Sequence, residues 1–209
     1  PGGAPANVAA AVAKLGGDSY MAGKIGVDMF GQFMCDALQD AGVNIDYLLK
    51  TAEANTALAF VSLDESGERS FTFYRNPSAD MLFRADEFQP HWFDSPGLFH
   101  FCSNTLTEPR IRQATHSGIE HARQAGFLIS FDINLRTNLW PADSDPLPPI
   151  QDALAQVYLL KLSQEEMDFL CREHSQDRVI NELLASGVSL ILLTDGGNPL
   201  RYFSARHHG

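Results

Sequence analysis

The sequence predicts an α/β protein: a mostly parallel sheet flanked by helices on both faces, with a small β lid. Three observations predict it. Short apolar runs ending in polar turns alternate with longer amphipathic stretches over most of the chain, the texture of strands and helices laid down in turn. One region breaks that rhythm with two β-prone runs separated by a turn, the pattern of a hairpin. The composition, 209 residues with 44% hydrophobic and 20% charged, suits one large domain or a domain with a small appendage, and excludes disorder and collagen-like repeats.

Taken in order, Pro1-Gly2-Gly3-Ala4-Pro5-Ala6-Asn7 reads as a loop feeding an Ala-rich helix over 8–15, closed by Gly16-Gly17. A strand over 19–25, a turn at Gly26-Val27-Asp28 and an amphipathic helix over 29–40 stopped by Gly42 follow. The hairpin pairs 56–63 with 69–74 across Asp64-Glu65-Ser66-Gly67. Polar and aromatic residues alternate in Ser70-Phe71-Thr72-Phe73, so one face covers something apolar and the other meets water. Alternation then returns, with a strand over 97–102, a helix over 108–124 ended by Gly126, and a buried strand over 127–131 leading to Asp132. The proline-rich 141–149 reads as a surface connection. Helices over 151–154 and 165–172 flank an apolar 157–162. A helix over 179–185 then precedes a fully buried strand over 188–193 that ends at Thr194-Asp195-Gly196-Gly197. The implied division is an α/β domain, residues 1–50 and 76–209, with a hairpin lid segment at 51–75.

Charge narrows the partners. Fifteen Lys and Arg face 26 Asp and Glu, a net charge of −11, so a nucleic-acid backbone finds no basic footprint here. No apolar run approaches the roughly 20 residues a membrane helix needs, and no charged n-region with an apolar h-region opens the chain. The three cysteines, Cys35, Cys102 and Cys171, are odd in number and widely spaced, which points to reduced thiols and a cytoplasmic location. Neither a C-x-x-C pair nor an H-E-x-x-H pattern is present to suggest zinc.

Ligands of open α/β sheets sit beyond the carboxyl ends of the strands, which directs attention to three places. At Gly2-Gly3-Ala4-Pro5-Ala6-Asn7 bare backbone and a helix start could meet a ligand, or the segment is a plain tight turn with Asn7 as a cap. At Asp132-Ile133-Asn134-Leu135-Arg136 an acid, an amide and a guanidinium follow a buried strand. Arg136 there is either a fork for phosphate or a surface ion-pair partner. Thr194-Asp195-Gly196-Gly197 lies under a phosphate or is simply the next turn. Ser163 is a good N-cap for the helix carrying Glu165 and Glu166, and Arg75 either reaches a substrate or flanks its strand.

The joint order of these segments resembles the sugar kinases of the ribokinase (PfkB) family, and within it bacterial and plant fructokinases. The resemblance runs over essentially the whole chain. It is carried by Gly2-Gly3-Ala4-Pro5-Ala6-Asn7-Val8-Ala9, Gly26-Val27-Asp28-Met29-Phe30-Gly31, Gly67-Glu68-Arg69 and Tyr74-Arg75-Asn76-Pro77-Ser78-Ala79-Asp80. Asp132 to Arg136 with Leu139-Trp140, and Lys161-Leu162-Ser163-Gln164-Glu165-Glu166, complete it.

That resemblance implies a ribokinase-like fold and ATP-dependent phosphorylation of a sugar hydroxyl, with fructose favoured over 2-keto-3-deoxygluconate or a nucleoside. It implies Gly2, Gly3, Asn7, Arg75 and Asn134 at the sugar and Arg136 at the transferring phosphoryl group. Lys161, Ser163, Thr194 and Gly196 would border the nucleotide, and Glu166 would organise Mg²⁺ through water. It leaves room for a monovalent cation and for a homodimer joined through the lid. Two positions depart from the family pattern: Ser163, where Asn is common, and Pro199, where a glycine is usual. The family's general base, an Asp in a Gly-Ala-Gly-Asp motif, is expected beyond Gly209, and its first strand ahead of Pro1. Residues 1–209 alone are therefore expected not to catalyse phosphorylation; the alternative from another class is a non-catalytic sugar- or nucleotide-binding fragment, which binds ligand without turnover.

Overall fold

The computed structural model describes residues 2–63, 69–75, 77–172, 174–207 and 209, with Leu63 and Arg69 described by backbone alone. They fall into two units, Pro1–Arg84 and Ala85–Gly209.

In the first unit, helix α1 (Ala4–Lys14) begins ahead of the expected 8–15. Pro5 sits in its first turn, where a missing N–H costs nothing. Gly3, at φ 120°, is the N-cap, and its carbonyl accepts the Asn7 N–H at 2.9 Å. Asn7 is thus inside the helix and does not cap it. Strand β1 (Gly23–Gly26) is shorter than the expected 19–25, the earlier part contributing only a bridge between Tyr20 and Asn44. Helix α2 (Met29–Asp40) has the expected bounds, with Asp28 as N-cap. Strand β2 (Leu48–Thr51), absent from the sequence reading, pairs parallel to β1 from Gly23↔Leu48 to Gly26↔Thr51. Ala6 and Ala9 of α1 and Leu38 of α2 bury a small core with Val43, against which Met34 and Leu48 pack. Small side chains let the elements approach closely here.

Strands β3 (Leu58–Leu63) and β4 (Arg69–Tyr74) form the antiparallel hairpin, in register from Leu58↔Tyr74 to Leu63↔Arg69. The turn expected at Asp64 to Gly67 lies outside the described residues. Phe71 and Phe73 are half-buried and stack 6.0 Å apart, while Ser70 and Thr72 are exposed, as the alternation requires.

The second unit builds a five-stranded sheet from β5 (Leu98–Cys102), helix α3 (Pro109–Gln124), β6 (Leu128–Asp132), helix α4 (Leu147–Leu154), β7 (Leu159–Ser163), helices α5 (Gln164–Cys171) and α6 (Gln176–Ala185), β8 (Leu190–Thr194) and β9 (Arg201–Phe203). Strand order is β5-β6-β7-β8-β9, parallel except for β9, which returns antiparallel to β8. This is the mixed, mostly parallel sheet with helices that the alternation predicted. Helix α4 corrects the reading of 141–149 as surface connection. It starts at Leu147, with prolines in its first turn, and buries Leu147 and Pro149, because a helix's first N–H groups have no intrahelical partner to lose.

Register sorts the sheet into two faces. Phe101 and Phe131 stack at 4.5 Å on one, continued by Leu160↔Ile191 and Leu162↔Leu193. All six join a core with Ile119 of α3, Ile150 of α4, Met167 of α5 and Ile180 of α6. The opposite face carries His100↔Ser130, Asp132↔Lys161 and Ser163↔Thr194. Strand β8 is accordingly not fully buried as expected: Ile191 and Leu193 are enclosed, whereas Leu190 and Leu192 are half-buried.

Candidate active site

Parallel strands bring their carboxyl ends to one edge, so Asp132, Ser163 and Thr194 end β6, β7 and β8 side by side. Beyond β6 the chain is bent at Asn134, whose φ of 38° lies in the left-handed region. Asparagine tolerates that conformation better than most residues, and such strain is concentrated at functional sites. Arg136, exposed, caps a 3-10 turn over Thr137–Leu139.

The bend is gripped from below. Glu166 Oε1 accepts the Leu135 N–H at 2.7 Å, and Oε2 accepts the Ser163 N–H at 2.8 Å. Ser163 Oγ in turn accepts the Glu166 N–H at 3.2 Å, completing a capping box. The carboxylate therefore ties the peptide between Asn134 and Arg136 to the start of α5. Lys161 Nζ stands 3.1 Å from Asp132 Oδ1, out of line for a hydrogen bond to it. Thr194 Oγ1 donates to the Leu162 carbonyl at 3.4 Å, and Gly196 follows with φ 51°. Beneath them, His100 Nδ1 meets Ser130 Oγ at 2.9 Å. Burial holds the His100 pKa below the ordinary imidazole value; Asp132 pulls it up and Lys161 down.

In the first unit the glycine loop and Arg75 stand apart in sequence. Gly2, Gly3 and Asn7 are exposed around the start of α1. Arg75, after β4, is 8% exposed and its Nε donates to Asp80 Oδ2 at 2.8 Å. Ser78 Oγ donates to the other Asp80 oxygen at 2.5 Å, so the guanidinium is held by an acid that is itself held. Pro77 opens that turn, and Asn76 lies outside the described residues.

The structure thus brings Asn134, Arg136, Lys161, Ser163, Glu166, Thr194 and Gly196 to one edge of one sheet. Several buried or bonded polar residues near these segments carry no role in the sequence reading. Asp80 and Asp28 lay in segments recognised by resemblance alone. Lys24, 6% exposed with Nζ donating to the Leu82 carbonyl at 3.0 Å, and His100 lie inside segments read only as strands.

Residues 1–209 match the pfkB family carbohydrate kinase family along their whole length. The chain belongs to that family. It is similar to fructokinase-1 of Zea mays, 41% identical over 210 residues that cover all of this chain and 65% of the maize protein. The crystal structure of a fructokinase with bound ATP from Xylella fastidiosa superimposes with a TM-score of 0.93 at 43% identity, covering 100% of this chain and 66% of that one. A Vibrio cholerae O395 fructokinase in fructose-, ADP- and calcium-bound form gives 0.91 at 32%, covering 100% and 67%. The chain spans 65% of the length of the curated maize relative, and the fold it shares with these kinases is ribokinase-like.

A pfkB kinase implies a divalent metal, and the residues can be tested for it. Among the described residues no group of three or more His, Cys, Asp or Glu is arranged to hold a metal ion. Mg²⁺ does not need such a cage, since it keeps waters and leans on one or two carboxylates and the substrate's phosphates. Glu166 fits that use. Each of its oxygens accepts one backbone N–H and retains a lone pair for a metal-bound water.

Proposed function

We propose that the protein to which this chain belongs is an ATP-dependent sugar kinase whose acceptor is fructose. The observation that carries the reading is the match to fructokinases at about 40% identity over the whole chain, joined to strand ends that bear an amide, a guanidinium and a phosphate-compatible turn.

Phosphoryl transfer asks little covalent work of a protein; it asks for positioning and for charge placed where charge develops. In this reading Arg136 provides the guanidinium for the transferring phosphoryl oxygens, and Glu166 holds the loop that presents it. Asn134 donates to and accepts from a sugar hydroxyl, as do Asn7 and the Gly2-Gly3 backbone. Arg75, pre-oriented by Asp80, reads a further oxygen of the sugar, and β3–β4 covers it. Thr194 and Gly196 flank ATP beside Ser163. Lys161, paired with Asp132, brings positive charge to the same strand ends. Mg²⁺, when bound, neutralises the phosphate oxygens. No residue of this chain is assigned as general base. Three buried thiols at Cys35, Cys102 and Cys171 suit a reducing compartment, and we place the enzyme in the cytoplasm. Among the described residues no helix is long and apolar enough to cross a membrane.

The test is ADP release by the complete enzyme. Fructose should be used at least 10²-fold better in kcat/KM than 2-keto-3-deoxygluconate or adenosine; a preference for either competitor overturns the substrate assignment. Arg136→Ala should lower kcat by about 10²–10³ with the fold intact, and near-normal turnover would remove Arg136 from its role.

A further inference from the structure

The segment Gly26-Val27-Asp28-Met29-Phe30-Gly31 marks the family but has no part in the chemistry above. Its geometry gives it one. Asp28 Oδ1 accepts the Gly31 N–H at 2.8 Å, the ordinary bond of a helix N-cap. Its second oxygen does something a cap does not require: Oδ2 accepts the Thr56 N–H at 2.7 Å, across 28 residues of chain. The Thr56 hydroxyl in turn accepts the Gly26 N–H at 3.0 Å. Beside it the Val27 N–H donates to the Thr51 carbonyl at 2.9 Å. On the return from β4, the Ala79 N–H donates to the Asn55 carbonyl at 2.8 Å, one residue ahead of Thr56. Both chain crossings at the foot of the hairpin are therefore tied, one to the other and the outgoing one to the β1–α2 turn.

The two glycines are what permit this closeness. A Cβ on Gly26 would lie 2.3 Å from Asp28 Oδ2 and 2.7 Å from the Thr56 nitrogen. On Gly31 it would lie 2.3 Å from the Gly26 carbonyl oxygen and 3.0 Å from Thr56 Oγ1. Side chains at either position would push apart the groups that Asp28 and Thr56 draw together.

We propose that Gly26, Asp28, Gly31 and Thr56 form a collar that fixes where the β3–β4 hairpin leaves its unit, and that Asp28 is a positioning residue for the hairpin's cover of the sugar. The inference rests on the reading of the hairpin as that cover. Leverage makes the foot matter. A strand of six residues is about 20 Å long at roughly 3.3 Å per residue, so a tilt of about 5° at Thr56 moves the far end by about 1.7 Å. A misplacement of about 1 Å can cost a large rate factor.

The experiment uses the complete enzyme with two substitutions that split the cap from the collar. Asp28→Ser keeps a side-chain oxygen for the Gly31 N–H but gives up the oxygen that holds Thr56. Thr56→Val leaves the Asp28 cap untouched and removes the hydroxyl that accepts the Gly26 N–H. Two readouts are taken: amide hydrogen exchange without ligand, and steady-state kinetics with fructose and ATP. Both variants are expected to speed exchange of the amides at position 56 and at Ala79 by about tenfold or more. Both should raise the fructose KM about tenfold while the ATP KM stays within twofold. Unchanged exchange at position 56 and at Ala79 overturns the collar itself. Faster exchange with an unchanged fructose KM overturns the positioning role. If Asp28→Ser fails to fold, Thr56→Val decides by the same two readouts. A wild-type enzyme that turns over no fructose defeats the substrate reading instead, and the collar is then judged on exchange alone.

Discussion

Replacing Glu166 gives the sharpest test of how the strand-end site is held together. Its carboxylate accepts two backbone N–H groups, from Leu135 at 2.7 Å and Ser163 at 2.8 Å. A hydrogen bond to a charged acceptor contributes about 1.5–3 kcal/mol, and a donor left unpaired in a buried place costs about 1–3 kcal/mol. Both donors are only partly buried, so water recovers some of that loss, and Glu166→Ala should destabilise by about 2–4 kcal/mol. Glu166→Gln keeps one acceptor oxygen in place and should cost about half as much. Against a stability of about 5–15 kcal/mol, both variants stay folded. Urea denaturation at constant m-value measures the loss; an alanine variant within about 0.5 kcal/mol of wild type would refute the bracket. Activity of the complete enzyme adds a second handle. Leu135 lies between Asn134 and Arg136, so loosening it acts through Arg136, and Glu166→Gln should slow an Arg136→Ala enzyme far less than it slows wild type. Excess Mg²⁺ restores the rate if the carboxylate serves only the metal; a loop displaced from its seat stays slow at any Mg²⁺ concentration.

Two further expectations come from the same geometry. Asp80→Asn keeps the shape of the side chain but strips the charge facing the buried Arg75 guanidinium, with Nε and Oδ2 now 2.8 Å apart. Breaking such a pair costs about 3–5 kcal/mol when both partners are buried, and with Asp80 34% exposed about 1–3 kcal/mol is expected, so an unchanged thermal midpoint contradicts the pairing. His100, whose pKa is depressed first of all by burial, makes folding pH-dependent: its contribution is complete above the unfolded imidazole pKa of about 6.5, shrinks as pH falls through that value, and is gone below the folded pKa. His100→Gln should flatten the change in urea midpoint between about pH 7.5 and 5.5; the same slope in both proteins would assign that pH dependence elsewhere.

What the sequence disclosed and what it hid divide along the range of the interactions. Helix α2 was legible to the residue because its cap, its apolar stripe and its stopping glycine all lie within a few positions of one another. The hairpin, and the order of strands and helices from β5 to β8, were legible for the same reason. Strand β2 and strand β9 were not. Leu48–Thr51 and Arg201–Phe203 are too short to show a period, and they are strands because β1 and β8 offer them a ladder. Prolines misled at α4, where they punctuate a loop by statistics but open a helix by geometry. The same division runs through the site. Ser163 with Glu166 is a local capping box, and the cap could be read directly. The other half of Glu166's work is a bond across 31 residues, and that of Asp28 a bond across 28.

Neither long bond has a periodicity or a propensity to betray it. In both cases one carboxylate oxygen caps a helix or closes its capping box, and the other seizes a backbone N–H of a distant loop. The consequence is economical. A residue type favoured at a helix start for local reasons becomes a fixed acceptor at the edge of a sheet, and the loops that must hold still, 133–136 at one and 54–56 at the other, are the ones that find it. Capping acids at such edges are therefore better treated as joints than as ends. At Asp28, which is itself the N-cap, substitution by serine satisfies the helix but not the loop and so distinguishes the two roles.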